Sequence, residues 1–231
     1  MAQIISVCRP RSCLLCHAED VTGQPIGANV YLEDQLGAVN ATVEYATIFA
    51  NPVHKWHEGG WAWIQHYDHH LTVYTIDYEE EPGMWTVGVG NQFGAEQHLV
   101  VSGPFALAVP TQKQGHEPPV GLDHFLLYQV DIGPPVALNV SLWDQFNDWE
   151  LTWHVVGYPV YIGVPVQKTH NGVVTEIVNP EAHLVFYEID ADPFVLEGLW
   201  VSNQFGDQTL NVYDPYLIAV PSRKLYVDPM P

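Results

Sequence analysis

Trp85–Lys113, WTVGVGNQFGAEQHLVVSGPFALAVPTQK, contains the phrase on which the rest of the chain is built. An alternating run leads into Asn91-Gln92-Phe93-Gly94, and a second run from His98 ends in Ala106-Leu107-Ala108-Val109-Pro110. Alternation at period two predicts strands with one buried face, and the Asn…Gly step between them predicts a tight turn in which Gly tolerates positive φ. The phrase recurs at Asp34-Gln35-Leu36-Gly37, Asp144-Gln145-Phe146-Asn147 and Asn203-Gln204-Phe205-Gly206. A Pro and then a Lys follow each copy: Pro52 and Lys55, Pro110 and Lys113, Pro165 and Lys168, Pro221 and Lys224. One β-unit is written four times.

Each unit opens with a strand. Aligned without gaps, Cys13–Asp20, His70–Asp77, His124–Asp131 and His183–Asp190 share a template of His, three mostly apolar residues, Tyr, a variable position, an apolar one and Asp. Enrichment in β-branched and aromatic residues with a Gly- or Pro-containing turn beyond predicts a strand. In this alignment Cys13 replaces the His and His17 replaces the Tyr. Strand two buries Val30 and Leu32, Val87 and Val89, Val140 and Leu142, or Leu199 and Val201, and turns Tyr31, Gly88, Ser141 or Trp200 outward. Strand three runs through Leu99–Val101, Trp153–Val155 or Leu210–Val212. A Pro (Pro104, Pro159, Pro215) then predicts an edge or a kink before a short fourth strand. No helical period of useful length occurs. The expected fold is all-β, four units of three to four strands paired into two β-sandwich-like domains, 1–116 and 117–231, because a lone three-stranded sheet leaves its apolar face bare. The Pro-rich Gln114–Leu122 is the expected boundary.

Composition narrows the function classes. Of 231 residues, 47% are hydrophobic, which suits a packed core, and no run of 18 apolar residues is present to form a membrane span. The net charge of −20, from 27 acidic and 7 basic residues, repels nucleic acid and anionic lipid. Met1–Val7 lacks the charged start of a signal peptide, so the chain is either cytoplasmic or written without its leader.

The ordered motifs resemble those of an uncharacterised family of secreted bacterial tandem β-domains, with repeats running Asp-His-Phe-Lys-Cys-Tyr, Asp-Gln-Phe-Gly and Leu-Cys-x-Pro-x-x-Lys. The resemblance covers nearly the whole chain and implies a β-fold, export to an extracellular or periplasmic setting, and no established activity. The family's strand-one cysteine is matched by Cys16 but by Val73, Leu127 and Phe186 elsewhere; its last-strand cysteine is matched by Ala50, Ala108, Gly163 and Ala219. A large apolar residue opposite a small one keeps volume roughly constant, so the two columns are expected to touch. The resemblance also implies that Cys8 and Cys16 can form a surviving disulfide.

Three further groups are candidates for chemistry. Cys13-Leu14-Leu15-Cys16-His17 has the spacing for covalent haem c, two thioethers and a proximal imidazole, and a disulfide, a free thiol or another metal site are the competing readings. His66, His69 and His70 form a metal-type cluster, although His70 repeats as His124 and His183 and so fits a fold position. Trp56, Trp61 and Trp63 in one connector and Trp149 and Trp153 after the third turn are expected to form an interface with protein partners or with further copies of the chain. No Gly-x-Ser-x-Gly elbow is present. The leading expectation is a non-catalytic, extracytoplasmic structural or accessory subunit. The alternatives are a monohaem electron-transfer protein and a carbohydrate-binding module.

Overall fold

The structure is a computed structural model that describes residues 16–146, 150–190 and 192–230, with side chains from Val21 onward. Unit 1 contributes β1 (Cys16–Thr22), β2 (Ala28–Glu33), β3 (Ala38–Pro52), β4 (His54–His57) and β5 (Gly60–Ala62). Unit 2 contributes β6 (His70–Asp77), β7 (Gly83–Asn91) and β8 (Gly94–Lys113). Unit 3 supplies β9 (Phe125–Ile132), β10 (Leu138–Trp143), β11 (Thr152–Pro165), β12 (Gln167–His170) and β13 (Val173–Thr175). Unit 4 supplies β14 (His183–Ile189), β15 (Leu196–Asn203) and β16 (Gly206–Pro229). The chain is all-β, and its repeat is the one written in the sequence.

The first strand and the second half of the long strand of every unit join into a closed antiparallel ring. Its order is β1-β3-β6-β8-β9-β11-β14-β16 and back to β1. Closure leaves no free edge in this ring. The expected partition at residue 116 into two sandwiches corresponds to no break in hydrogen bonding: β8 pairs with β9, β4 with β10, and β12 with β2 across it. All strands belong to one sheet.

Alternation along the ring strands fills two cores. Side chains pointing into the ring are Ile48, Ala50, Leu71, Val73, Ala106, Ala108, Phe125, Leu127, Leu184, Phe186, Leu217 and Ala219, all buried. Their neighbours, such as Leu107, Leu126, Tyr128, Val185 and Tyr187, point outward and meet the inner faces of the hairpins β2–β3, β7–β8, β10–β11 and β15–β16. Val30, Leu32, Val87, Val89, Val140, Leu142, Leu199 and Val201 are buried there, as the period-two reading requires.

The expected short fourth strand does not exist separately. Strands three and four are one long bent strand, and Pro104, Pro159 and Pro215 lie at irregularities where the ladder register shifts. A proline that cannot donate a ladder hydrogen bond is tolerated at such a bulge, and the bend carries the strand from outer hairpin to ring.

The paired large and small columns do touch. Val73 pairs with Ala108, Leu127 with Gly163 and Phe186 with Ala219. A Cβ on Gly163 would stand 3.1 Å from Leu127 Cδ2, so only a very small residue fits opposite Leu127. Unit 1 departs from the gapless alignment by two residues. Ala18 pairs with Ala50, and Cys16 pairs with Pro52 and Ala219, so Ala18 occupies the column of Val73 and Cys16 that of Leu71. The template tyrosine position falls on Glu19, and the substitutions inferred for Cys13 and His17 do not hold. A gapless comparison misplaces this strand because unit 1 has few apolar residues to fix its phase.

Overfilling the ring tests this packing. Ala108→Leu should destabilise the chain by about 1–3 kcal/mol, and Phe186→Ala, which leaves a cavity, by about 3–5 kcal/mol, both measured by urea unfolding.

Candidate functional site

The Asn/Asp-Gln-aromatic turns have one local geometry and three distant partners. The carboxamide or carboxylate oxygen of Asp34, Asn91, Asp144 and Asn203 accepts the amide N–H two residues on, at 2.8–2.9 Å, from Leu36, Phe93, Phe146 and Phe205. These Asx turns fix the loop, and a positive φ occurs only at Gly206 among the turn glycines described, so glycine is not what makes the turn.

The same first residue reaches the unit two places away. Tyr128 Oη donates to Asp34 Oδ2 at 3.0 Å, Asn91 Nδ2 donates to Tyr187 Oη at 2.8 Å, and Asn203 Nδ2 donates to Tyr74 Oη at 2.8 Å. The glutamine reaches the adjacent unit: Gln35 donates to His183 Nε2 at 2.5 Å, Gln204 to His124 Nε2 at 2.8 Å and Gln145 to His70 Nε2 at 3.3 Å. The aromatic residue underlies that unit's lysine, with Lys55 Nζ 4.8 Å from the Phe93 centroid and Lys113 Nζ 4.6 Å from that of Phe146. The repeated His and Lys are therefore parts of the fold. Burial holds His70, His124 and His183 below the ordinary imidazole range, His124 at about 3 and His183 at about 4, and lowers Lys55 and Lys168 to about 8.

His66, His69 and His70 do not converge. His66 stacks on His69, His69 Nε2 faces the Val120 carbonyl at 3.1 Å, and His70 turns inward to Gln145. Asp68 faces His116 Nδ1 at 3.0 Å, and His116 Nε2 faces Gln145 Oε1 at 3.0 Å. Among the described residues no group of three His, Cys, Asp or Glu is placed to hold a metal ion. Cys16 and His17 lie in β1, backbone-paired to β3 and β16. Cys8, Cys13 and Trp149 lie outside the described residues.

The tryptophans, by contrast, are brought together. The tail of unit 1, β4–β5, adds to the edge of the unit 3 hairpin, giving a four-stranded sheet β5-β4-β10-β11. Its inner face carries Lys55 and His57 against Phe93. On its outer face Trp61 pairs with Trp56, Trp56 with Ser141, and Ser141 with Trp153, one row across four strands. Ser141 is fully buried beneath Trp56 and Trp153, whose ring centroids are 6.0 Å apart at 73°. A second row pairs His54 with Trp143, and Trp61, Trp63 and Tyr67 close over it. Ile64 N–H donates to His54 Nδ1 at 2.9 Å, and His54 Nε2 faces Tyr67 Oη at 3.2 Å, so His54 anchors the connector. Trp61, Trp63 and Trp153 remain 41%, 52% and 65% exposed.

Sequence reasoning selected Trp56, Trp61, Trp63 and Trp153 and missed Trp143, His54 and Tyr67. The period-two step from Ser141 to Trp143 was the available signal. The internal repeat supplies a control. In the counterpart sheet of units 3 and 1 the same row is Val174, Thr169, Tyr31 and Asn40, and in unit 2 Tyr226 and His98 meet over Gly88. Those two rows carry no tryptophan, and the unit 4 row carries one, Trp200, paired with Thr209.

The model of DUF7450, a repeat of unknown function, matches residues 78–221, well over half of the chain. The chain belongs to that family of β-repeat proteins. No curated protein and no solved structure matches it.

The buried histidines set an acid limb. Their native pKa values lie below 6.5, so the unfolded chain takes up more protons as the pH falls from 6.5 toward 4, and stability drops over that window. Asp34, raised to about 6 by burial, works in the opposite sense between its ordinary value and pH 6. The difference isolates one histidine: His124→Gln should lose less stability than the parent between pH 7 and pH 4.5, by on the order of 2–3 kcal/mol in urea unfolding followed at both pH values.

Proposed function

We propose that this chain is a non-catalytic, extracytoplasmic β-repeat protein that serves as a structural or accessory subunit, holding a partner protein on the outer face of β5-β4-β10-β11. One observation carries the reading: Trp61, Trp56 and Trp153 fill one row of a repeated sheet, where two counterpart rows carry no tryptophan and the unit 4 row carries one, Trp200. Residues that packing does not require, large and apolar and left in solvent, are what contact surfaces conserve free energy in, because their burial on association removes apolar area from water. A net charge of −20 supports a role at an exposed, hydrated surface and disfavours nucleic acid as the partner. The closed ring supports a scaffold role, since it presents the face on a rigid sheet rather than on a loop.

The test uses Trp61→Ala/Trp153→Ala in the full chain, expressed in its source cells. The parent should elute above its 25.9 kDa mass in the envelope or secreted fraction, and the double variant should return toward that mass while unfolding at an unchanged urea midpoint. An unchanged elution volume would remove the surface from consideration. A Soret band in the purified parent would instead move the function to electron transfer through Cys13, Cys16 and His17.

A further inference from the structure

We infer that the partner segment seated on the tryptophan face is cationic, its arginine or lysine side chains lying against the indole rings. The inference rests on the reading of that face as the docking surface and names what the surface selects.

Ring geometry comes first. Trp56 and Trp153 meet at 73°, Trp61 and Trp143 at 65°, and Trp63 and Trp143 at 71°; only Trp61 and Trp63 are near parallel, at 16°. A glycan lies along successive coplanar rings, and this face offers alternating ring faces and ring edges instead. Notches of that shape suit separate side chains with an apolar stem and a charged head.

Charge comes second. Glu58, in the turn between β4 and β5, is exposed, and its carboxylate lies 3.9 Å from His57 Nε2, toward the inner side of the sheet. Glu150 is exposed just before β11, and Asp190, 64% exposed, accepts the Val155 amide two residues from Trp153. Acidic groups thus stand at the Trp153 end of the tryptophan face. The one lysine or arginine on its strands, Lys55, is on the opposite side over Phe93.

The chain itself uses the same chemistry. Lys55 and Lys113 each hold their ammonium group under 5 Å from a phenyl centroid, in sites buried from water. Those lysines, with the buried Lys168, are committed to the fold, and two copies each at −20 repel. A second copy of this chain is therefore a poor occupant, and a different, basic protein is a good one.

The probe is hexa-arginine, titrated calorimetrically into the full chain beside hexa-glutamine and cellohexaose. Saturable binding of hexa-arginine alone is expected. Trp153→Ala and Trp61→Ala should each weaken it at least about tenfold, Trp153→Phe should retain most of it, and Tyr31→Ala on the counterpart sheet should leave it unchanged. Glu150→Gln should weaken it severalfold, and added salt should weaken it further. Absence of saturable binding, or equal binding by parent and both alanine variants, would overturn the inference, as would tryptophan-dependent binding of cellohexaose or hexa-glutamine. If the double tryptophan variant leaves its native assembly while hexa-arginine finds no seat, the docking surface stands and only the cationic partner falls. If neither measurement responds, both readings fall.

Discussion

Every Asn/Asp-Gln-aromatic turn in this chain is finished by a unit other than its own. In three turns the first residue bonds a tyrosine two units away, in three the glutamine caps a histidine one unit away, and in two the aromatic ring covers that unit's lysine. Such bonds are worth about 1 kcal/mol each when made, and more when one buried partner is left bare. A unit folded by itself would bury Tyr74, His124 or Lys55 without the partners that the other units supply. Ring closure is the arrangement in which each of these groups meets its partner, and the four-fold sequence repeat is the record of that constraint.

The strand ladders obey the same logic. Each long strand belongs to an outer hairpin before its bend and to the ring after it, so the two cores on either side of the ring share a backbone. The tails extend the exchange. The tail of unit 1 edges the hairpin of unit 3, that of unit 3 edges unit 1, and units 2 and 4 do likewise. The tryptophan face exists only because of this swap, since Trp56 and Trp61 arrive on one unit and Ser141, Trp143 and Trp153 on another.

That origin explains the division between structural and functional residues. His70, His124, His183 and the lysines recur at fixed positions and answer to burial and hydrogen bonding. The tryptophans break the repeat: where the sheet of units 1 and 3 is duplicated, Thr169, Tyr31 and Asn40 serve as well. In a repeat protein, a departure from the repeat that packing does not require is the informative residue. Asx turns, bulged prolines and large-opposite-small pairs are the fold speaking; an exposed indole row is not.

Strand class, the four-unit repeat, the buried alternation of Val87 and Val89, and the contact of Phe186 with Ala219 were all legible from the sequence, because period two and side-chain volume are local properties that each copy repeats. The phase of β1 was not, since Cys16–Thr22 has too few apolar residues to lock its own register and takes it from β3 and β16. Ring closure was not either: which unit a turn's side chain reaches depends on contacts up to 148 residues apart, as between Gln35 and His183, and no local pattern encodes them. The tryptophans could be counted and suspected from the sequence. Only the exchange of tails between units 1 and 3 decided that they share one face.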